Sequence, residues 1–289
     1  MKDVSNNDVE KNIPLVARKS PEQRTIVDLP YGVGVGGDRI TVIAGPCAVE
    51  SLEQIMDVAL NVKKAGADAL RGGIYKPLTF PYVKNFKYPD LGEKGYQYLS
   101  DTGNKHALPT VSEVGSKEDI QLVSKYVNVL QIGARNMQNF PLLEAIGKTE
   151  KPILLKRHPG MSLRDWLGAA EWIAYGGNLN IILCERGISA PHTHNPNSRF
   201  LPDIAAIHYA KRHSHLPVIF DSSHSTFDRE AVSYMAKAAI AAGADGIIID
   251  VHPEPEKAAV DPLQALNYES FGKLVDELRG IAKAIGRTL

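Results

Sequence analysis

The amino-acid sequence predicts an α/β fold, a (β/α)8 TIM barrel with a short N-terminal extension. From Arg39 onward, apolar runs of strand length alternate with longer segments of helical periodicity, and the count is eight of each. The chain has 289 residues, which fits one barrel of about 250 residues. An open doubly wound sheet is the alternative, and eight repeats favour the closed barrel.

The predicted strands are, in chain order, ITVIAGPC, ALRGGI, LPTVSEV, VNVLQIGA, PILLKR, NIILCERG, PVIFDSSH and GIIIDVHP. Helical spacing separates them, as in SLEQIMDVALNVKKAG and DREAVSYMAKAAIAAG. Residues 1–38 are polar and show no regular hydrophobic periodicity, so we assign them to an N-terminal extension. One conformation that this extension could adopt is a short hairpin that closes the bottom of the barrel. Residues 39–289 are assigned to the catalytic barrel.

The composition narrows the classes of function. Lys plus Arg and Asp plus Glu both total 33, and this balance argues against nucleic-acid binding, which concentrates basic charge. The two cysteines do not make a disulfide framework, and no apolar run of about 18 residues indicates a membrane span. We therefore expect a cytoplasmic protein with reduced thiols.

Ionisable side chains follow most of the predicted strands. In a (β/α)8 barrel the carboxyl ends of all strands meet on one face, where active sites lie. A simple change from strand to polar loop would instead give mixed Ser, Asn, Gly and Asp. The pattern therefore predicts a functional site, and the residues that carry it are Cys47, Arg71, Glu113, Arg135, Lys156, Arg157, Glu185, Arg186, Asp221, His224, Asp250 and His252.

Five cations in one barrel mouth require a counterion. Such a cluster predicts a small, multiply charged anionic substrate, since Arg matches phosphate and carboxylate oxygens bidentately. The alternative to a bound anion is that about two of the five cations form structural salt bridges with Glu113 and Glu185. The cations are Arg71, Lys76, Arg135, Lys156 and Arg186.

A second group of residues has metal-ligand chemistry. Thiolate, imidazole and carboxylate groups together suit a divalent ion such as Zn, Fe(II), Co or Mn. The candidates are Cys47, His224, Asp250 and Asp261. Cys47 taken alone is more often a small buried hydrophobe. Cys184 is assigned to the core, His252 is a further candidate, and His208, His213 and His215 are assigned to loops or helix surfaces.

Several motifs resemble the 3-deoxy-D-arabino-heptulosonate 7-phosphate (DAHP) synthase family, in its smaller class related to octulosonate 8-phosphate synthases. They run in order from about Arg39 to the C-terminus: IAGPCAVES, LRGGIYKP, LQIGARNMQNF, ILLKR, ILCERGI, DSSH and VHPEPEKAAVD. The resemblance implies a transferase that condenses phosphoenolpyruvate with erythrose 4-phosphate, in the first step of the shikimate pathway of aromatic amino-acid biosynthesis.

The resemblance also implies roles for individual residues. The five cations would bind phosphoenolpyruvate, and the four metal-ligand candidates would hold the divalent ion that activates the aldehyde. Lys76 would donate a proton to the developing alkoxide, Glu113 would help to place water, and Asp261 would be both ligand and catalytic residue. Thr79 and Arg199 would also bind substrate.

One residue and two short motifs depart from the family pattern. The third metal ligand is usually Glu, whereas this chain has Asp250. The family motif Lys-Pro-Arg-Thr-Ser is replaced by Lys76-Pro77-Leu78-Thr79-Phe80, and Thr-Arg-Asn-Thr-Leu-Asp by Ser198-Arg199-Phe200-Leu201-Pro202-Asp203. The cations expected to bind phosphoenolpyruvate, the donor, are all present. On the acceptor side, where erythrose 4-phosphate would bind, apolar residues replace polar ones. Use of phosphoenolpyruvate is therefore better supported than use of erythrose 4-phosphate.

Two alternatives to DAHP synthase therefore stay open. One is a sister synthase that joins phosphoenolpyruvate to a different aldehyde or sugar. The other is a non-catalytic anion-binding barrel, which the nearly intact metal set disfavours. A homodimer or homotetramer is expected. The sequence names neither the true acceptor nor the physiological metal, the oligomeric state, the pathway or the role of residues 1–38.

Overall fold

The fold is a closed barrel of eight parallel strands, which confirms the predicted fold class. A computed structural model describes residues 7–77, 89–190 and 200–289. Barrel neighbours run in the order β10-β3-β4-β5-β6-β7-β8-β9, so the first and last barrel strands pair. The strands are β1 (Val27–Leu29), β2 (Val33–Val35), β3 (Thr41–Gly45), β4 (Ala69–Arg71), β5 (Thr110–Glu113), β6 (Val129–Ile132), β7 (Ile153–Lys156), β8 (Ile181–Glu185), β9 (Val218–Asp221) and β10 (Gly246–Asp250).

Helices connect successive strands of the barrel, one further helix precedes the barrel, and another follows its last strand. They are α1 (Asn7–Lys11), α2 (Leu52–Ala65), α3 (Gly92–His106), α4 (Ile120–Tyr126), α5 (Phe140–Gly147), α6 (Leu163–Tyr175), α7 (Ala205–His213), α8 (Ser222–Thr226), α9 (Arg229–Ala241) and α10 (Tyr268–Ala284). None of the helices in the described part of the chain is long and apolar enough to cross a membrane.

Helix α8 begins directly after β9, where the sequence analysis predicted only the end of a strand. The Asp221 side chain accepts a hydrogen bond from His224 N at 3.0 Å, which satisfies a free backbone donor of the first turn. A helix of five residues is too short to show periodicity, so its cap is its only sequence signal. This short helix sets the position of His224.

The antiparallel hairpin β1–β2 closes one end of the barrel. Val27, Leu29 and Val35 are buried and belong to the same apolar cluster as the inward-facing side chains of the barrel strands. Thr41 Oγ1, at the start of β3, donates to Gly34 O at 3.0 Å. The hairpin therefore lies at the amino ends of the barrel strands, opposite the predicted site.

Two histidines of the α7–β9 region are buried, so their predicted place on the surface is wrong. His213 is 2% exposed and His215 is 8% exposed, whereas His208 is exposed as predicted. His215 Nδ1 lies 2.7 Å from Thr25 Oγ1, and its Nε2 lies 2.9 Å from Leu15 O. The N-terminal segment covers these side chains, a tertiary contact that local periodicity does not show.

Candidate active site and metal-binding cluster

A cavity of about 660 Å³ opens at the carboxyl ends of the barrel strands. It brings together most of the residues predicted from strand ends, namely Cys47, Arg71, Lys76, Glu113, Arg135, Lys156, Arg186, His224 and Asp261. Asp250, 1% exposed, ends β10 next to them. A larger cavity of about 910 Å³ lies beside the N-terminal segment and contains none of the predicted site residues.

The four predicted metal ligands form one cluster. Their ligand atoms all lie within 4.8 Å of one another. His224 Nε2 is 3.6 Å from both Asp250 Oδ2 and Asp261 Oδ2, and Cys47 Sγ is 3.9 Å from His224 Nε2 and 3.3 Å from Asp261 Oδ2. Ligands about 2.0–2.3 Å from a common ion have similar separations, so this sulfur, nitrogen and oxygen set fits a divalent transition metal.

Asp250 reaches the cluster although its side chain is one methylene shorter than Glu. Arg71 donates to its Oδ1, Gln264 Nε2 donates to its Oδ2, and Ser223 Oγ contacts Asp250 N at 2.9 Å. These contacts hold the carboxylate with Oδ2 toward His224 Nε2. The shorter ligand is therefore compatible with the cluster.

The imidazole of His224 is oriented by Asp221. The carboxylate of Asp221 lies 3.0–3.1 Å from His224 Nδ1. Burial lowers the pKa of His224 to about 3, although Asp221 acts in the opposite direction. Burial opposes ionisation of Asp221, but His224 and Lys156 outweigh it and hold the pKa of Asp221 well below its usual value. An ionised carboxylate only accepts, so Nδ1 carries the proton and Nε2 is free to bind a metal.

The thiol of Cys47 lies between a cation and a carboxylate. Burial raises the pKa of Cys47, Lys76 lowers it and Asp261 raises it. Lys76 Nζ is 3.1 Å from Cys47 Sγ. A Cβ added at Gly73 would lie 2.4 Å from Lys76 Nζ and 2.6 Å from Cys47 O, so glycine allows this close approach. Gly73 therefore contributes to the shape of the site.

Two of the five predicted cations are buried in ion pairs. Arg71 is 3% exposed and pairs with Asp250, and Lys156 is 4% exposed with its Nζ 2.5 Å from Asp221 Oδ2. The sequence analysis left salt bridges to Glu113 and Glu185 open for about two of the five cations, without saying which two. Arg71 and Lys156 pair instead with aspartates of the metal side of the cavity.

Glu113 and Glu185 have other neighbours. Glu185 pairs with Arg157 at 2.7 Å, and Arg157 also reaches Asp203 at 2.9 Å. Glu113 Oε2 accepts a hydrogen bond from Gln131 Nε2 at 3.0 Å. A Glu113–Gln131 pair at the cavity wall leaves the carboxylate accessible to a bound molecule.

Arg135 and Arg186 lie on the wall of the same cavity. Arg135 is exposed in the 3-10 turn Ala134–Asn136, which follows β6. Arg186 is 8% exposed, and its guanidinium carbon lies 4.6 Å from the centroid of the Phe200 ring. Stacking on an aromatic face holds a guanidinium in place, and the N–H groups on the edge of a guanidinium match phosphate and carboxylate oxygens.

Two polar lining residues, Gln131 and His158, were not among the predicted site residues. His158 is two residues past the end of β7, so the rule that found Lys156 could have found it. Burial lowers the pKa of His158, and the charges of Arg186 and Arg135 lower it further. Phe200, named from the sequence only as a departure from the family motif, also lines the cavity, and its neighbour Leu201 pairs with Ile188, two residues after Arg186.

The loop that carries Asp261 is attached to the end of the first barrel strand. Glu50 Oε1 accepts from Ala259 N at 2.9 Å and lies 3.3 Å from His252 Nε2. Asp261 itself has a left-handed backbone with φ 54°. His252 therefore supports this loop instead of joining the ligand cluster. The acceptor-side residues Leu78, Thr79, Phe80 and Arg199, named in the sequence analysis, lie outside the described residues.

Fold and site together define a class of barrel enzyme that places a metal-ligand cluster beside a pocket for a small polyanion. Within that class, the sequence profile described as the DAHP synthetase I family matches residues 20–284. The chain belongs to this family, as its motifs predicted. The match begins inside the N-terminal extension.

Individual relatives agree with this assignment. A Thermotoga maritima protein named phospho-2-dehydro-3-deoxyheptonate aldolase is 44% identical over 278 residues, which cover 96% of this chain and 80% of that protein. A Desulfatibacillum aliphaticivorans protein named 2-dehydro-3-deoxyphosphooctonate aldolase is 29% identical, covering 87% of this chain and 95% of that protein. The relation to octulosonate synthases, predicted from the motifs, is thus also found.

Solved structures of the Thermotoga maritima DAHP synthase have the same fold. One is 43% identical with a TM-score of 0.87, covering 95% of this chain and 78% of that chain. A truncated form is 42% identical with a TM-score of 0.86, covering 96% of this chain and 99% of that chain.

Proposed function

We propose that this protein condenses phosphoenolpyruvate with erythrose 4-phosphate to give DAHP and phosphate. The observation that carries the proposal is one cavity in which a four-ligand cluster of Cys47, His224, Asp250 and Asp261 adjoins the predicted cations. Family membership supports the reaction class. The product would enter the shikimate pathway of aromatic amino-acid biosynthesis.

Phosphoenolpyruvate has a phosphate and a carboxylate on a small frame, and the cations of the cavity suit both groups. Arg135, Arg186 and His158 all line the cavity, and the charges of both arginines lower the pKa of His158. Arg71 and Lys156 lie deeper, next to the carboxylates of the metal side. Cations at both the wall and the deeper part of the cavity favour binding of phosphoenolpyruvate with its anionic groups directed inward.

The divalent ion, Mn, Fe(II), Co or Zn, would be held by the four-ligand cluster and would polarise the acceptor aldehyde as a Lewis acid. In the reaction, C3 of phosphoenolpyruvate attacks the aldehyde carbon, water adds at C2, and phosphate leaves. Lys76, whose Nζ is beside Cys47 Sγ, would protonate the developing alkoxide. Glu113 and Gln131 also line the cavity, where Glu113 would help to place the water.

The direct test is release of inorganic phosphate from phosphoenolpyruvate in the presence of Mn²⁺ and a panel of aldehydes. We expect the highest kcat/KM with erythrose 4-phosphate, and no turnover in excess EDTA. The panel includes a five-carbon aldose phosphate, because an eight-carbon acid needs a five-carbon acceptor. Preference for another aldehyde would assign the protein to a sister synthase. Absence of phosphate release with every aldehyde would leave only the non-catalytic barrel.

The acceptor site gives a separate prediction, because Leu78 stands where the family has an Arg that binds the sugar phosphate. A missing charged hydrogen-bond partner costs about 1.5–3 kcal/mol, or roughly a 10- to 150-fold loss in affinity. We therefore expect a high KM for erythrose 4-phosphate, which Leu78→Arg lowers specifically. The measurement is KM for both substrates in both proteins.

A matched control for Leu78→Arg is Leu78→Lys, which restores the charge without the bidentate geometry. We expect Lys to recover less than Arg, and the KM for phosphoenolpyruvate to stay unchanged in both variants. A tight erythrose 4-phosphate KM in the unmodified protein, with no gain from Leu78→Arg, would show that another residue, such as Arg199, Lys84 or Lys87, binds that phosphate.

We further propose a cytoplasmic homodimer or homotetramer, with residues 1–38 forming an extension to a catalytic barrel of residues 39–289. The hairpin β1–β2, packed at the end of the barrel opposite the cavity, supports a structural role for the extension. Light scattering of the purified protein measures the oligomeric state.

A further inference from the structure

A buried carboxylate contacts one side chain from each half of the cavity. Asp221 Oδ2 lies 2.5 Å from Lys156 Nζ, and the carboxylate of Asp221 lies 3.0–3.1 Å from His224 Nδ1. Asp221 has no exposed surface, and Lys156 is 4% exposed. Lys156 belongs to the predicted donor-binding cations and His224 to the metal-ligand cluster. One acceptor is thus shared between the two halves of the site.

We propose that Asp221 is a positioning residue that couples the two binding events, so that phosphoenolpyruvate strengthens binding of the divalent cation and the cation strengthens binding of phosphoenolpyruvate. The inference rests on the proposed function, because it takes these two molecules as ligands. It adds a residue that contacts neither ligand and a thermodynamic link between them.

The physical basis is competition for a single negative charge. Lys156 and His224 both donate to Asp221, and burial leaves little water to screen these contacts. When Lys156 turns part of its charge toward a bound anion, its interaction with Asp221 weakens. Asp221 then interacts more strongly with the Nδ1 proton of His224, which makes Nε2 a better electron donor to a metal.

The reverse effect follows from thermodynamic linkage. If phosphoenolpyruvate tightens cation binding by a given factor, the cation tightens phosphoenolpyruvate binding by the same factor. A positive factor alone would not identify Asp221, because a cation and an anion in one cavity also attract each other directly. Variants of Asp221 and Lys156 separate the two contributions, since direct attraction remains when Asp221 is neutral.

The first measurement is the Kd of Mn²⁺, from the electron paramagnetic resonance signal of the free ion, with and without saturating phosphoenolpyruvate. In the native protein we expect phosphoenolpyruvate to lower this Kd by roughly 5- to 150-fold, the usual range of coupling between sites. In Asp221→Asn the factor should fall at least several-fold. The Mn²⁺ affinity itself should fall by roughly 10- to 100-fold, as for other partners of metal-bound histidines.

Asp245→Asn is the matched control. Asp245 is 3% exposed, its Oδ1 lies 2.6 Å from Lys211 Nζ, and its Oδ2 accepts from Val218 N at 2.9 Å. It is thus also a buried aspartate paired with a lysine, although the Lys211 side chain is 33% exposed, and it lies just before β10, at the opposite end of that strand from Asp250. We expect Asp245→Asn to leave the coupling factor native even if it lowers stability.

Lys156→Met tests the same link without phosphoenolpyruvate. Removal of Lys156 should give the whole charge of Asp221 to His224 and tighten Mn²⁺ binding several-fold, whereas general damage to the site would weaken it. Combined with Asp221→Asn, Lys156→Met should lose this tightening, because the effect passes through Asp221. This comparison of the native protein, the two single variants and the double variant remains informative even if one of the variants is less stable, because every Kd is measured on folded protein.

Three results would overturn the inference: a native coupling factor in Asp221→Asn, weaker Mn²⁺ binding in Lys156→Met, or the same tightening by Lys156→Met with and without Asp221. A native protein that binds Mn²⁺ but not phosphoenolpyruvate would contradict the proposed function instead. In that case the Lys156 and Asp221 variants still decide the inference, because the Mn²⁺ measurements need no anion.

Discussion

Cys47→Ala is expected to lose both metal binding and turnover, with the largest effect of any single substitution considered for this protein. The Cys47 sulfur lies 3.3 Å from Asp261 Oδ2 and 3.9 Å from His224 Nε2, inside the ligand cluster. Loss of a partner that only orients a ligand costs roughly 10- to 100-fold in metal affinity, so loss of a ligand should cost at least about 100-fold. Equilibrium dialysis against Mn²⁺ and the phosphate-release assay measure the two effects.

Cys184→Ala is the control for that experiment. Cys184 is fully buried in β8 among the apolar side chains of the barrel interior, as the sequence predicted. Its substitution removes one small buried sulfur and should lower stability moderately, with metal affinity unchanged. If Cys47→Ala kept native Mn²⁺ affinity, or if both variants lost it equally, the assignment of Cys47 as a ligand would be wrong.

Arg71→Met is expected to lower the free energy of unfolding by about 3–5 kcal/mol in EDTA, because it leaves the buried carboxylate of Asp250 without its ionic partner. It should also weaken phosphoenolpyruvate binding, since Arg71 lines the cavity. Mn²⁺ should restore part of the lost stability, because a cation bound at Asp250 replaces the missing charge. Urea unfolding with EDTA or with Mn²⁺ measures these differences.

Arg135→Met separates binding from stability. Arg135 is exposed on the wall of the same cavity, so its substitution removes a charge that is not itself buried. We expect roughly a tenfold or greater loss of phosphoenolpyruvate affinity, the cost of one charged hydrogen bond, with stability almost unchanged. Unchanged affinity in Arg135→Met, or unchanged stability in Arg71→Met, would contradict the division of the cations into wall and buried members.

The sequence by itself determined the fold class and the face on which the site lies. Strand-length apolar runs alternate with helices from Thr41 to Ala284, and this periodicity is local, so it can be counted without a structure. Parallel strands in a closed barrel direct all their carboxyl ends to one face. Residues as far apart as Cys47 and Asp261 could therefore be grouped into one cavity from their positions at or just after strand ends.

Only the tertiary structure decided which partners those residues have. Arg71 pairs with Asp250 and Lys156 with Asp221, partners that the sequence analysis did not name, because pairing depends on side-chain directions and distances of a few ångströms around the barrel. The short helix α8, which orients His224, has no periodicity to reveal it. Phe200 meets Arg186 because the adjoining residues Ile188 and Leu201 pair, and an ion pair or a stacked ring between residues apart in sequence is a property of the folded chain.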